Sequence, residues 1–452
     1  MQDAGVDEVA IDTFSHYYRL LEHGETGMVP ESSIDPVDME ALADVDVSDE
    51  QAAEAIAATA VIKLNGGLGT SMGMDRAKSL LCVRRGLSFL DVIARQVLRL
   101  RAEHDVRLPL LFMNSFRTSE DTMDALARYG DLASEGLPLE FLQNQEPKLL
   151  EKTLEPVSWE PDPTLEWCPP GHGDLYTALR GRGLLEKLID EGFRYVFCSN
   201  SDNLGAVPDE RVAGWFAQSG APFAIEAVRR TPSDRKGGHF ARRKTDGRIV
   251  LRETAQTLPE DQEALADLDR HRYCSTNNLW FDLEAMKHAL DVRGGILGLP
   301  LIRNVKNVDP SDPSSPKVIQ IETAMGAAIE VFEDARLIEV GRDRFVPVKT
   351  TNDLLVLRSD VYDLGSDLVL EQQADEVPFV DLDKSFYAHV GDFEKRFPQG
   401  APSLREASSL RIEGDFTFGS EVKVVGDVEL TGEGAERVEN GAVLQGGEPA
   451  DA

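Results

Sequence analysis

Basic residues are scarce in this sequence: 47 Lys and Arg stand against 80 Asp and Glu, for a formal net charge of −33. A surface so acidic repels polyanions, which argues against nucleic acid and anionic membranes as partners. Any nucleotide must therefore meet a locally basic patch, and Lys63, Arg76, Lys78, Arg84 and Arg85 are close enough in sequence to supply one. Cysteine is scarce too. Cys82, Cys168, Cys198 and Cys274 form no CxxC pair and sit in or near apolar runs, so they read as reduced, buried thiols of a cytoplasmic protein rather than a disulfide framework. No run approaches the ~18 apolar residues of a membrane span. The opening MQDAGVDEVA is acidic and has no apolar centre, unlike a signal peptide. What remains is globular in composition, 42% hydrophobic and 28% charged, and 452 residues suffice for two or three domains with ample core.

The most informative stretch is 58–80, ATAVIKLNGGLGTSMGMDRAKSL. Its apolar start, Thr59 to Leu64, has a β-branched centre and reads as a buried strand. Asn65, Gly66, Gly67, Gly69 and Gly73 follow, too glycine-rich for the interior of a helix or strand. Glycine permits positive φ and close backbone approach, so a turn of this kind after a strand can aim several N–H groups at a phosphate chain. Lys78 then supplies positive charge. Neither common phosphate motif fits: no lysine follows a glycine at P-loop spacing, and position 72, where GxGxxG needs glycine, is Met.

Around this stretch, strands and helices alternate. Residues 4–23 show helical periodicity ended by Gly24, and 28–50 is a loop rich in Pro and Asp. Residues 50–57 and 88–104 read as helices, the second capped by Ser88 with Asp91 at its third position. Strands are expected at 109–113, near 141, at 193–198, 223–228 and 248–252, and helices at 118–129 and from Tyr176. The alternation predicts a doubly wound α/β domain with ligands at the carboxyl ends of its strands. Asp202, in Ser199-Asn200-Ser201-Asp202-Asn203 after such a strand, suits Mg²⁺ coordination or, equally, an Asx-turn. His172 lies between glycines in PPGHGD. Glu253, Asn277 and Asn278 are polar groups beside turns, suited to sugar hydroxyls. From 403 the pattern changes: Gly414-Asp415 and Gly426-Asp427 recur twelve residues apart between alternating aliphatics, predicting a small parallel β-helix.

LNGGLGTSMGMDRAKS, PPGHGD, SNSDN and FVPVKTTNDLL resemble, in order, the motifs of the eukaryotic-type UTP–glucose-1-phosphate uridylyltransferases, and the resemblance spans about 55–445. Ala77 stands where that family usually has proline, and Ser275 replaces an Asn of its usual Asn-Thr-Asn-Asn run. The resemblance implies a mixed, mainly parallel Rossmann-like sheet, the nucleotide-diphosphosugar transferase fold, with a small C-terminal left-handed β-helix. It divides the chain into an N-terminal helical element (1–54), a catalytic domain (55–351), a connecting segment (352–402) and the C-terminal domain (403–452), used for self-association in some members. It also implies that UTP and glucose 1-phosphate give UDP-glucose and pyrophosphate with Mg²⁺ held by Asp202. Lys78 then meets the triphosphate, Lys349 bridges the attacking phosphate and the α-phosphate, and backbone from Leu64 through Asn65, Gly66 and Gly67 cradles the nucleotide. Gln145 reads uracil, Gly171 lies by the nucleotide and His172 by the sugar phosphate. Asn200, in the same segment as Asp202, binds substrate, and Glu253, Asn277 and Asn278 surround glucose. Glu322 contacts sugar or caps a helix. Two other readings stand beside this one: a pyrophosphorylase for galactose or N-acetylglucosamine 1-phosphate, and a non-catalytic nucleotide sensor, against which the joint presence of Lys78, Asp202 and Lys349 argues.

Overall fold

The computed structural model describes residues 1–446; residues 447–452, most of the QGGEPADA tail, lie outside them. Eight strands form the central sheet: β1 (Glu40–Ala41), β2 (Thr59–Asn65), β3 (Leu110–Asn114), β4 (Glu140–Leu142), β5 (Tyr195–Asn200), β6 (Phe223–Arg229), β7 (Tyr273–Asp282) and β8 (Arg336–Glu339). Their order is β1-β8-β6-β7-β5-β2-β3-β4. Only β7 runs against its neighbours, so the sheet is mixed and mainly parallel as expected. The chain leaves β2 for β3 on one side and later returns to β5 on the other. Such a reversal of strand order opens a crevice beyond the carboxyl ends of the strands, here those of β2 and β5.

β2 shows why its sequence is nearly all apolar. Alternate side chains enter opposite faces of a strand, and both faces here are covered. Val61 joins the core that holds Phe112, Phe197 and Trp280, whereas Ala60 and Ile62 join the one that holds Leu111, Met113 and Cys198. The register sets Val61, Phe197 and Trp280 side by side. The flanking helices are α1 (Glu8–Glu22), α2 (Asp49–Ala57), α3 (Phe89–His104), α4 (Asp174–Gly181) and α5 (Glu210–Ser219). Ser88 and Asp91 form the expected capping box on α3. Residues 1–54 run along the main body: α1 packs on α4, α2 packs on α5, and β1 extends the sheet edge.

Beyond α6 (Thr351–Arg358), β9 (Phe379–Leu382), β10 (Ser403–Phe418), β11 (Lys423–Val438) and β12 (Val443–Gln445) build a four-stranded parallel sheet. Its apolar side continues one core of the main sheet without a break. The twelve-residue spacing of the Gly-Asp pairs is not the structural repeat. Ser403 pairs with Lys423 and Leu410 with Val428, steps of 20 and 18 residues. Gly414 lies inside β10 beside a register shift, where a Cβ would sit 2.5 Å from the Gly432 carbonyl. Residues Met325–Glu330 form a 3-10 helix. Among the described residues no helix is long and apolar enough to cross a membrane.

Candidate active site

The turn after β2 is closed by the Lys78 amide, which donates to the Gly67 carbonyl at 3.0 Å and folds the chain back so that Lys78 faces the crevice. Gly69 has φ +67°, and a Cβ there would sit 3.2 Å from Lys78 Cγ. Among the described residues the amides of Gly66, Gly67, Leu68 and Gly69 donate to no protein acceptor. A run of such N–H groups makes a nest for anions. The Leu64 carbonyl accepts from the Ser201 amide and hydroxyl, joining β2 to the segment after β5. The Asn65 side chain turns inward and donates to Asn114 Oδ1 and Thr122 Oγ1, both at 2.8 Å, so its backbone is the part left to meet a ligand.

Asp202 joins the two lysine-bearing segments. Lys78 Nζ donates to its Oδ2 at 2.6 Å, and the Val348 amide donates to its carbonyl at 3.1 Å. A β-bridge between Asn203 and Pro347 reinforces the second link. Lys349 is therefore one residue from a direct bond to the Asp202 backbone. Its ammonium is exposed and has no hydrogen-bond or ion-pair partner among the described residues. The carboxyl of Glu253 feels its charge: burial raises the Glu253 pKa and Lys349 opposes that shift. Gly238 leaves room for this carboxylate, since a Cβ there would lie 2.7 Å from Glu253 Oε2. Asp202 Oδ1 takes no protein donor among the described residues.

His172 accepts the Met325 amide at Nδ1, 3.0 Å away, so its proton is on Nε2. Solvent reaches the ring, yet the bulk of protein around it lowers its pKa to about 4, and the imidazole is neutral at pH 7. Gly171, at φ +78°, would drive a Cβ to 2.7 Å from the Thr323 carbonyl, so packing alone demands glycine there. A bulge between β6 and β7 falls at the Asn pair. It holds Asn277 at φ +57°, with its amide on Ser275 Oγ, and turns Asn278 into the core, where Nδ2 donates to Glu226 at 3.0 Å. Asn278 is fully buried and does not face the crevice. Asn200 is half-buried at the end of β5. Glu322 accepts from Asn304 Nδ2 and caps no helix by its side chain.

The basic patch expected near the glycines is not there, except for Lys78. Lys63 is 1% exposed inside the core, Arg76 pairs with Asp121, Arg84 donates to the Leu357 and Ser359 carbonyls, and Arg85 pairs with Asp363. Cys82 is exposed, unlike the other three free thiols. The helix expected from Tyr176, α4, starts two residues earlier, at Asp174, whose buried carboxylate accepts the Asn144 amide and Nδ2. Sequence reasoning also missed Gln143. A Cβ on Gly66 would meet its amide at 2.9 Å, whereas Gln145 lines a cavity under α1 with Phe14 and Tyr17. Both glutamines follow the same strand, and only the path of the loop distinguishes them.

Away from the crevice, Glu31, His239 and His271 approach at metal-ligand spacing, but the atoms that converge are bonded to each other or to arginine, and only His271 Nδ1 is left without a partner among the described residues. Arg252 Nε donates to His239 Nε2 at 3.0 Å, and Glu31 receives Arg252, Arg270 and His271. The two imidazoles stack at 3.7 Å. Burial, with His271 beside it, lowers the His239 pKa to about 3. The unfolded chain therefore binds a proton below pH 6.5 that the native state refuses, and this contribution to stability is lost as pH falls from 6.5 towards 3. In melting curves from pH 7 to 4.5, the advantage of wild type over His239→Gln should shrink as pH falls; a gap independent of pH contradicts this role for His239.

Together, fold and site define a class: an α/β enzyme that holds a nucleotide at the carboxyl edge of a mixed sheet. The sequence model of the family UTP--glucose-1-phosphate uridylyltransferase matches residues 11–425. The relative of that name from Hordeum vulgare is 37% identical over 391 residues, 85% of this chain and 80% of that protein. A probable one from Schizosaccharomyces pombe is 38% identical over 392 residues, 85% and 76%. Among solved structures, a variant of the UDP-glucose pyrophosphorylase of Leishmania major in complex with UDP-glucose superposes with a TM-score of 0.93 at 43% identity, covering 99% of this chain and 97% of that one. The UDP-glucose phosphorylase of Trypanosoma brucei gives 0.92 at 41% identity, covering 99% and 97%. The chain belongs to the UTP–glucose-1-phosphate uridylyltransferase family.

Proposed function

We infer that this protein transfers the uridylyl group of UTP to glucose 1-phosphate, releasing pyrophosphate. Beside family membership, one observation carries the reading: Asp202 is bonded at its side chain to Lys78 and at its backbone to Val348, in the segment that carries Lys349. A phosphate oxygen of the sugar attacks the α-phosphorus as the bond from α-phosphorus to the bridging oxygen breaks, its electron pair leaving with pyrophosphate. The attacking monoester is already an anion, so no general base is needed. The barrier lies in bringing polyanions together, and positioning plus charge neutralisation lower it. Lys78 meets the triphosphate and its leaving group. Lys349 spans the attacking phosphate and the α-phosphate. The free amides of Gly66 to Gly69 hold the nucleotide, His172 donates from Nε2 to the sugar phosphate, and Glu253 with Asn277 receives the glucose hydroxyls.

The donor set fits Mg²⁺: a partly buried carboxylate with one oxygen free of protein donors among the described residues, other ligands coming from phosphate or water. Asp202 would hold the ion, which when bound neutralises charge on the α-phosphate. Residues 1–54, 55–351, 352–402 and 403–452 form the N-terminal, catalytic, connecting and C-terminal units of this reading. The paired long strands β10 and β11 support a left-handed β-helix in the last, available for self-association. Three buried free thiols suit a reducing cytoplasm.

The base is read by Gln143 rather than Gln145. Gln143→Ala should raise KM for UTP about 10- to 100-fold and narrow discrimination against CTP, as expected when a paired hydrogen-bonding group is lost, while Gln145→Ala changes either much less. Equal effects in steady-state assays with both nucleotides would reject this choice. For the sugar, initial rates with glucose, galactose and N-acetylglucosamine 1-phosphates and UTP should be highest with glucose; a faster rate with another sugar replaces it as the substrate.

A further inference from the structure

Lys63 is a lysine where the core would pack a methionine equally well. It is 1% exposed, lies 5.5 Å from the Phe197 ring centroid and has no carboxylate in ion-pair contact among the described residues. Burying an unpaired ammonium is costly, and burial lowers its pKa to about 7. What its Nζ does is donate to Ser199 Oγ at 2.7 Å and to the Ala206 carbonyl at 2.6 Å. These two acceptors bracket residues 200–205, the excursion from β5 that carries Asp202. Arg344 secures the next position: Nη2 donates to the Val207 carbonyl at 3.0 Å, while its guanidinium is fixed on buried Glu226 by bonds of 2.6 and 2.7 Å. Glu226 in turn receives Asn278 and Trp280. Asn203 ties the same excursion to the Lys349 segment through the Val346 amide and the Arg344 carbonyl. Both ends of the excursion are thus held from within the core.

We propose that Lys63 is a positioning residue for the uridylyl transfer: with Arg344 as the second anchor, it fixes the Asp202 excursion, and so the placement of Asp202 between Lys78 and Lys349. This rests on the reading of Asp202 given above. Lys63 touches no substrate. Its effect passes through Ser199 and Ala206, so it belongs to the turnover step more than to ground-state affinity. A misplacement of about 1 Å at a reacting centre can cost on the order of 10²-fold in rate.

The test compares Lys63→Met with wild type in kcat, KM for UTP, UDP-glucose affinity by calorimetry and melting temperature. Methionine fills similar space and removes both donated bonds. The expected result is a kcat lower by about 10- to 100-fold, with KM and the calorimetric Kd within about three-fold and a melting temperature within a few degrees. Ser199→Ala, a milder cut that removes one acceptor, should lower kcat about three- to ten-fold and keeps the test decisive if Lys63→Met folds poorly. Leu290→Ala trims the core on the other face of the sheet and should lower the melting temperature with kcat preserved, which separates positioning from general stability. Wild-type kcat in folded Lys63→Met, or in Ser199→Ala when Lys63→Met does not fold, overturns the proposal. Asp202→Ala run alongside tells the two failures apart: if it is inactive while the Lys63 and Ser199 variants are normal, only the positioning role falls; if it too is normal, the reading of Asp202 falls.

Discussion

Lys349→Ala should lower kcat by about 10³-fold and leave the fold standing. The ammonium is exposed and has no partner among the described residues, so its removal opens no cavity and strands no polar group there. The backbone stays tied down: the Lys349 amide donates to Asp353 at 2.8 Å and the Val348 amide to the Asp202 carbonyl, neither of which needs the side chain. A surface truncation of this kind changes stability by about 0.5 kcal/mol or less. The loss therefore falls on the reaction, where a free cation spanning two phosphates matters most as charge redistributes. Melting curves and steady-state rates on one preparation check both halves. Near-normal turnover removes Lys349 from the mechanism.

Asp202→Asn should be as severe, about 10³-fold or more in kcat. Asparagine keeps an oxygen for Lys78 and keeps the carbonyl that accepts the Val348 amide, so the local geometry survives while the charge that would hold a cation is lost. Raising Mg²⁺ should recover little of the rate. Asp202→Ala loses as much and also leaves half-buried Lys78 without its 2.6 Å partner, so a modest further drop in melting temperature is expected for alanine but not for asparagine. Wild-type turnover in Asp202→Asn, with unchanged Mg²⁺ dependence, would remove the metal role.

What was legible in the sequence was local or doubly constrained. β2 reads as a strand because both its faces are buried, which forces a continuous apolar run. The Ser88 cap needs only residues three apart. The glycine turn, Lys78, Asp202 and Lys349 could be named because their order along the chain matches a family. Which way a side chain turns was not legible. Asn278 looks like a ligand contact in sequence, yet a bulge turns it inward onto Glu226. Lys63, Arg84 and Arg85 look like a phosphate patch, but the alternation of a strand buries the first and remote carbonyls or acids take the others. The choice between Gln143 and Gln145 depends on a loop path with no periodic signal. The C-terminal glycine spacing misled because coil length is set by strand pairing, in steps of 18 to 20 residues, rather than by the recurrence of Gly-Asp.

The central claim is that one crevice brings UTP and a sugar phosphate together at a single α-phosphorus. Phosphorus NMR of the purified protein with UTP, glucose 1-phosphate and Mg²⁺ tests it most directly. The account predicts UDP-glucose and pyrophosphate appearing in equal amounts, with neither formed when the sugar phosphate is left out. Pyrophosphate released from UTP alone, or no UDP-glucose from a folded protein given both substrates, would contradict it.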